Sequence, residues 1–191
     1  MPRTARLSRD DWAAAALDAL EQGGAAAVAI EPVAARLGAS KSSCYWLFAN
    51  REALLEAALD RWEHVQTDRV IAWLAGIPEP AERLRALVRG ALASVAGADL
   101  ALSLLAELRN AADVSDAAAV AVRRAVDRVS RRRLAAIEAI FTDLGHPAEH
   151  ARHLAAAGYS VYLGTAALRR IDAAPADTDA YVDAVLAALL R

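Results

Sequence analysis

Apolar residues recur along this chain at spacings of three and four, and glycine, proline or a small polar residue interrupts each run. That pattern predicts helices from end to end. Ser8 with Asp11 three residues later has the form of a capping box, and Trp12, Ala16, Leu17 and Leu20 follow until Gly23-Gly24 stops the run. A short helix is predicted over Ile30–Leu37, with Val33, Ala34 and Leu37 inward, Pro32 in its first turn and Gly38 as its stop. Ser40 caps a third short helix to about Leu47. Asn50 caps a fourth, with Leu54, Leu55, Ala58, Leu59, Trp62 and Val65 on one face.

Gly76-Ile77-Pro78-Glu79-Pro80 is the clearest break. Beyond it, Leu84 to Val95 form an amphipathic run ended by Gly97, and Leu100–Asn110 a more apolar one. Ser115–Leu144 is long; Pro147–Ile171 and Asp179–Leu190 complete the series. No strand-like alternation and no repeat occurs, so the fold class is all-α with about nine helices.

Composition adjusts this picture little. A chain of 191 residues permits one domain or two small ones. Alanine supplies 51 positions, which favours helix throughout. The single cysteine, Cys44, excludes an internal disulfide framework. With a net charge of -2, any nucleic-acid surface has to be local. No stretch of apolar residues is long enough for a membrane span. The segment Met1–Arg6 lacks the apolar core of a signal peptide, so a cytoplasmic location is expected.

The informative window runs from Ile30 to Leu55. Two short helices joined through Gly38-Ala39-Ser40 make a helix-turn-helix, whose second helix enters the major groove of DNA. Cys44 and Phe48, four apart, face inward. Lys41, Ser42, Ser43, Tyr45 and Trp46 are left outward, as groups that bond phosphates and base edges. Between Pro32 and Arg51 the only charges are Arg36, Lys41 and Arg51, a local excess of +3.

Ile30, Val33, Ala34, Leu37, Gly38, Ala39, Ser40, Lys41, Tyr45, Phe48, Asn50, Arg51 and Leu54 stand in the order of the signature of the tetracycline-repressor (TetR) family, and residues 8–60 or so resemble its DNA-binding domain. The resemblance implies a homodimer, a ligand pocket in the C-terminal helices, and release of DNA when ligand binds. It implies a DNA-binding domain over 1–50 and a ligand-binding and dimerisation domain over 51–191. Ala29 departs from the family's usual capping threonine, Ser42 from a common glycine, and Leu47 from a histidine or tyrosine that meets the DNA backbone. The phosphate grip then falls on Tyr45, Lys41 and Arg51.

Trp62, Trp73, Leu102, Leu105, Glu107, Asn110, Tyr159 and Tyr162 are the candidate lining of a pocket for a small hydrophobic or aromatic effector, with Glu107, Arg109 and Asn110 as polar anchors. Each also fits a plain core or interface role. His146, His150 and His153 have helical ligand spacing but no fourth ligand, so neither metal nor cofactor is expected. Arg123, Arg124, Arg128, Arg131, Arg132 and Arg133 read as a solvated helix face. No catalytic constellation is found, so the chain is not read as an enzyme. The competing reading is a helical small-molecule-binding or protein-interaction module without an operator.

Overall fold

The computed structural model describes residues 7–94, 96–110 and 116–190. Among them the secondary structure is entirely helical: α1 (Arg9–Ala27), α2 (Ile30–Arg36), α3 (Lys41–Tyr45), α4 (Arg51–Glu63), a π-helical stretch (His64–Asp68), α5 (Arg69–Ala75), α6 (Pro80–Ala93), α7 (Ala96–Asn110), α8 (Ala117–Asp143), α9 (Ala148–Arg169) and α10 (Thr178–Leu189). The stretch from α4 through α5 is continuous, so the described chain makes nine helical runs, as its periodicity predicts. The terminal segment Met1–Arg6, Val95 and the start of the long helix at Ser115 lie outside the described residues.

The caps work as the sequence suggests. Ser8 accepts from the Asp11 N–H at 3.2 Å, and Asp11 accepts from the Ser8 N–H at 2.7 Å. That second bond, helped by the Ser8 hydroxyl, holds the Asp11 carboxyl below its ordinary range. Asn50 accepts from the Ala53 N–H at 2.9 Å. Gly97 does not end a helix; it lies in the first turn of α7, and the break falls at Ser94. Gly23 and Gly24 do not end α1 cleanly but break it, with helical residues resuming through Ala27.

The chain divides into two compact units. The first comprises residues up to His64 together with Ser103–Val126, and its core gathers Trp12, Leu20, Val33, Phe48, Leu55 and Trp62. Here α1 packs on α4 and α2, and α2 on α3. The second comprises Val65–Leu102 and Asp127 onward. In it α6 packs on α10, α9 and α5 around Leu84, Leu92, Phe141, Val182 and Leu186. Arg83 fastens the Gly76–Pro80 break, donating to the carbonyls of Ile77 and Pro78 and to Asp143 at 2.7 Å.

The turn between α2 and α3 depends on a backbone conformation. Gly38 has φ +61°, and the Ala39 and Gly38 N–H groups donate to the carbonyls of Ala34 and Ala35 at 2.9 and 3.2 Å, a Schellman closure. A Cβ at Gly38 would meet nothing within 4 Å, so its φ alone calls for glycine. Ser40 then caps α3 by accepting from the Ser43 N–H at 3.3 Å. Ala29 has cap geometry at α2 but no side-chain cap bond. Ser40→Ala is therefore expected to lower unfolding free energy by about 1 kcal/mol and Ala29→Thr to raise it by up to about 1 kcal/mol, read by urea denaturation of the full chain. Equal stability of all three proteins would contradict these cap roles.

Candidate functional site

The face of α3 is the first candidate site. Cys44 and Phe48 are buried, which fixes the helix by its inner side. Burial pushes the Cys44 thiol up, so it stays protonated and inert at neutral pH. Outward stand Lys41, Ser42, Tyr45 at 57% exposure and Trp46 at 81%. An indole this exposed on an anchored helix has no packing role within the described chain.

The other residues named from the sequence are placed differently. Ser43 is half-buried and its hydroxyl lies 2.9 Å from that of Ser40. Arg36 is turned back to α1, donating to Gln22 at 2.8 Å and pairing with Asp18 at 3.4 Å. Arg51 points inward and donates to the Ala25 carbonyl at 2.6 Å. Lys41 pairs with Glu31, one residue outside the window in which no acid was found. The face is thus less basic than its composition suggests. Arg9 went unnoticed in the sequence: its guanidinium stacks 4.3 Å from the Phe48 ring and donates to the Leu47 carbonyl at 2.6 Å. No short-range motif announces a contact made across so many residues.

Beside this face, the break in α1 is clamped. Both Glu107 oxygens accept from the Ala25 N–H, at 3.3 and 3.2 Å, while Arg51 takes the Ala25 carbonyl. Gly24 has φ +69°, and a Cβ there would come within 1.7 Å of the Glu107 carboxylate. Only glycine permits both the turn and the approach. A cavity of about 240 Å³ adjoins the clamp, lined in part by Ala25, Arg51, Glu107 and Asp116.

The second candidate site is a cavity of about 260 Å³ inside the second unit, walled by α5, α6, α8, α9 and α10 and the π-helical stretch. Trp73, Tyr159 and Tyr162 line it, with aliphatic neighbours such as Leu87, Val88, Ile137 and Val185. Trp62 does not; it is fully buried in the core of the first unit. On α7, Leu102 is half-buried and Leu105, Arg109 and Asn110 are exposed, and none of them lines either cavity. Glu107 lines the clamp cavity instead. The side of α6, and not of α7, therefore walls the aromatic cavity.

Arg133 is the polar feature of this cavity. Arg123, Arg124, Arg128 and Arg131 are exposed as a solvated stripe requires, and Arg132 pairs with Asp68 at 2.9 Å. Arg133 turns in: Nε donates to Thr67 Oγ1 at 3.0 Å, Nη2 donates to the Gln66 carbonyl at 3.2 Å, and the guanidinium lies 5.7 Å from the Tyr162 ring. The sequence carried a signal for this. Position 133 is four residues after Val129 and four before Ile137, on the apolar stripe of the helix. Tyr159 and Tyr162 stack with ring centroids 6.0 Å apart. Burial pushes the Tyr162 hydroxyl up against the opposing pull of Arg133, so it remains a donor at neutral pH.

Among the described residues no group of three or more His, Cys, Asp and Glu could hold a metal ion; His146 and His150 simply pack, ring centroids 5.2 Å apart. No single described helix is long and apolar enough to cross a membrane.

Residues 13–58 match the sequence model of bacterial regulatory proteins of the tetR family. No curated protein matches the chain. The fold is similar to reduced NemR of E. coli (TM-score 0.70, 19% identity, 95% of this chain and 94% of that one). It is similar to FadR of Bacillus subtilis in complex with stearoyl-CoA (TM-score 0.67, 17% identity, 94% and 96% covered). It also resembles a transcriptional regulator of Saccharomonospora viridis in complex with choline (TM-score 0.67, 20% identity, 93% and 92% covered).

Two outcomes follow from this geometry. Glu107→Ala leaves the Ala25 N–H without its partner and is expected to cost about 1–3 kcal/mol of stability, whereas the isosteric Glu107→Gln, which still offers an acceptor oxygen, should cost less. Denaturation of both variants checks the order. Cys44 should resist iodoacetamide in the folded protein and react once urea unfolds it, as followed by mass spectrometry.

Proposed function

We propose that this chain, whose residues 13–58 match the sequence model of bacterial regulatory proteins of the tetR family, is a ligand-released repressor acting in the cytoplasm. It binds a pseudo-palindromic operator as a homodimer, by insertion of α3 into successive major grooves about 34 Å apart. Residues 1–50 read the DNA, and residues 51–191 bind the effector and pair the subunits. The protein acts by binding and not by catalysis.

The observation that carries the reading is the exposed face of α3. Trp46, Tyr45, Ser42 and Lys41 project from a helix held by a cap, a Schellman turn and two buried side chains. Such a helix presents its side chains in one fixed geometry, which base readout needs. Tyr45 and Lys41 grip phosphate; Ser42 and Trp46 face base edges, with Ser43 nearer the turn. Arg36 and Arg51 support the domain from behind, through α1.

Dimerisation is assigned to α9 and α10. Exposed Ala156, Ala157, Gly164 and Ala167 on α9 allow close helix approach, and Leu168 and Leu190 offer exposed apolar area. The effector is assigned to the aromatic cavity of the second unit, whose mostly apolar wall suits a small hydrophobic or aromatic compound. It favours a conformation in which the two recognition helices no longer match the groove spacing, so that operator affinity falls by population shift.

The test is binding to the DNA upstream of the gene, by fluorescence anisotropy over a range of salt. Lys41→Ala should lower affinity and reduce the slope of log K against log salt by about one unit. Tyr45→Phe should weaken binding on all sequences. Glu31→Gln should strengthen it, because Lys41 no longer has a carboxylate to leave. Affinity unchanged in all three variants, or binding without salt dependence, refutes the assignment.

A further inference from the structure

The aromatic cavity carries one charge, and that charge selects the ligand. Among its described lining residues Arg133 alone is formally charged. Beside the cavity Asp68 pairs with Arg132 at 2.9 Å and Asp99 with Arg170 at 3.1 Å, and neither acid is among the described lining residues. Around the guanidinium are further polar groups that a ligand head can use, the hydroxyls of Thr67, Tyr159 and Tyr162. Tyr159 in turn lies 3.3 Å from the Ser130 hydroxyl.

Away from Arg133 the wall is apolar. Along α8, Ala136, Ile137 and Phe141 follow Arg133 on one face. The eight residues from Arg133 to Phe141 span roughly 12 Å at the rise of an α-helix. The Phe141 end is closed by Leu84 and Leu189, both buried in the core of this unit. The cavity is thus cationic and hydroxylated at one end and hydrocarbon-lined at the other.

We propose that this cavity binds an amphipathic monocarboxylate of medium length, its carboxylate on Arg133 and its hydrocarbon body running along α8 toward Phe141. A guanidinium held in place by Thr67 and the Gln66 carbonyl presents N–H donors in a fixed fork that suits a carboxylate, and such charge-assisted bonds are stronger than neutral ones. The same charge excludes cationic amphiphiles, although the stacked Tyr159 and Tyr162 and the neighbouring Trp73 would otherwise attract them. The assignment rests on the reading of this cavity as the effector site.

Isothermal titration of the full chain with decanoate, 1-decanol and decyltrimethylammonium, each below its micellar concentration, tests it. Decanoate should bind at least about tenfold more tightly than decanol, and the ammonium compound most weakly. Arg133→Gln should bring decanoate to the affinity of decanol and leave decanol unchanged, while Arg133→Lys should keep a preference for the acid. Decanol binding by the glutamine variant also reports that its cavity is intact. If that variant does not fold, the ligand order in the unaltered protein and the lysine variant decide. No binding of decanoate, a tighter fit of decanol or the ammonium compound, or an acid preference that survives Arg133→Gln overturns the proposal. Operator binding is measured on the same ligand-free preparation. A chain that prefers decanoate but ignores its upstream DNA supports the ligand assignment and sinks only the regulator reading.

Discussion

A helix of five residues does not stand alone in water, because nucleating its first turn costs more than its few hydrogen bonds return. Everything about the outward face of α3 depends on overcoming that cost. The means are local and tertiary at once. Ser40 supplies the cap, Gly38 the left-handed residue that closes α2, and Cys44 and Phe48 the inner anchor. Arg9 adds a stacked cation over Phe48 and a bond to the carbonyl of Leu47. Once the inner side is fixed, the outer side chains have no freedom to choose their direction. The exposure of Trp46 and Tyr45 is therefore a consequence of how firmly Cys44 and Phe48 are buried.

The same logic extends to the break in α1. Gly24 turns the chain just before Ala25, whose carbonyl also accepts from the Val28 N–H at 3.3 Å. Glu107 takes the Ala25 N–H and Arg51 the Ala25 carbonyl. Two charged side chains of opposite sign on the backbone groups of one residue neutralise each other locally and satisfy both groups. Arg51 occupies a position where the DNA-binding resemblance implies a phosphate contact, yet its guanidinium is committed to the fold. The local basicity of the motif is correspondingly lower than its count of arginines implies, and Lys41 too is paired, with Glu31.

How much of this was legible in the sequence depends on the range of the interaction. Caps, turns and the inward pair Cys44–Phe48 are set by residues a few positions apart, and periodicity gives them directly. The separation of α5 from α4 was not legible, because a π-helical stretch keeps the chain helical and leaves no glycine or proline to mark it. The cavity lining was legible only in part. Trp73, Tyr159 and Tyr162 are large amphipathic side chains on helices of the second unit, and they line its cavity. Trp62 is the same kind of residue eleven positions before Trp73, yet it completes the core of the first unit. Nothing in local spacing distinguishes the two tryptophans. Glu107 posed the same difficulty: an acid on an apolar helix invites the reading of a ligand anchor, whereas its partner is a backbone N–H far away in sequence.

Arg133 belongs to neither class. Its position on the apolar stripe of α8 contradicts the helical pattern that places its five arginine neighbours in solvent or on a surface acid. A guanidinium turned into an apolar cavity loses hydration, and hydrogen bonds to Thr67 and the Gln66 carbonyl stand in its place. A methionine or leucine at this position would pack the cavity at no such cost. Where a chain breaks its own local rule and bears a cost for it, the departure marks a function and not a packing solution. The hydroxyls of Thr67, Tyr159 and Tyr162 line the same cavity, and that of Tyr159 also reaches Ser130 across from α9 to α8. Arg133 and the hydroxyls thus put the polar groups of an otherwise hydrocarbon-lined space at one end of it, which is the arrangement the proposed carboxylate would use.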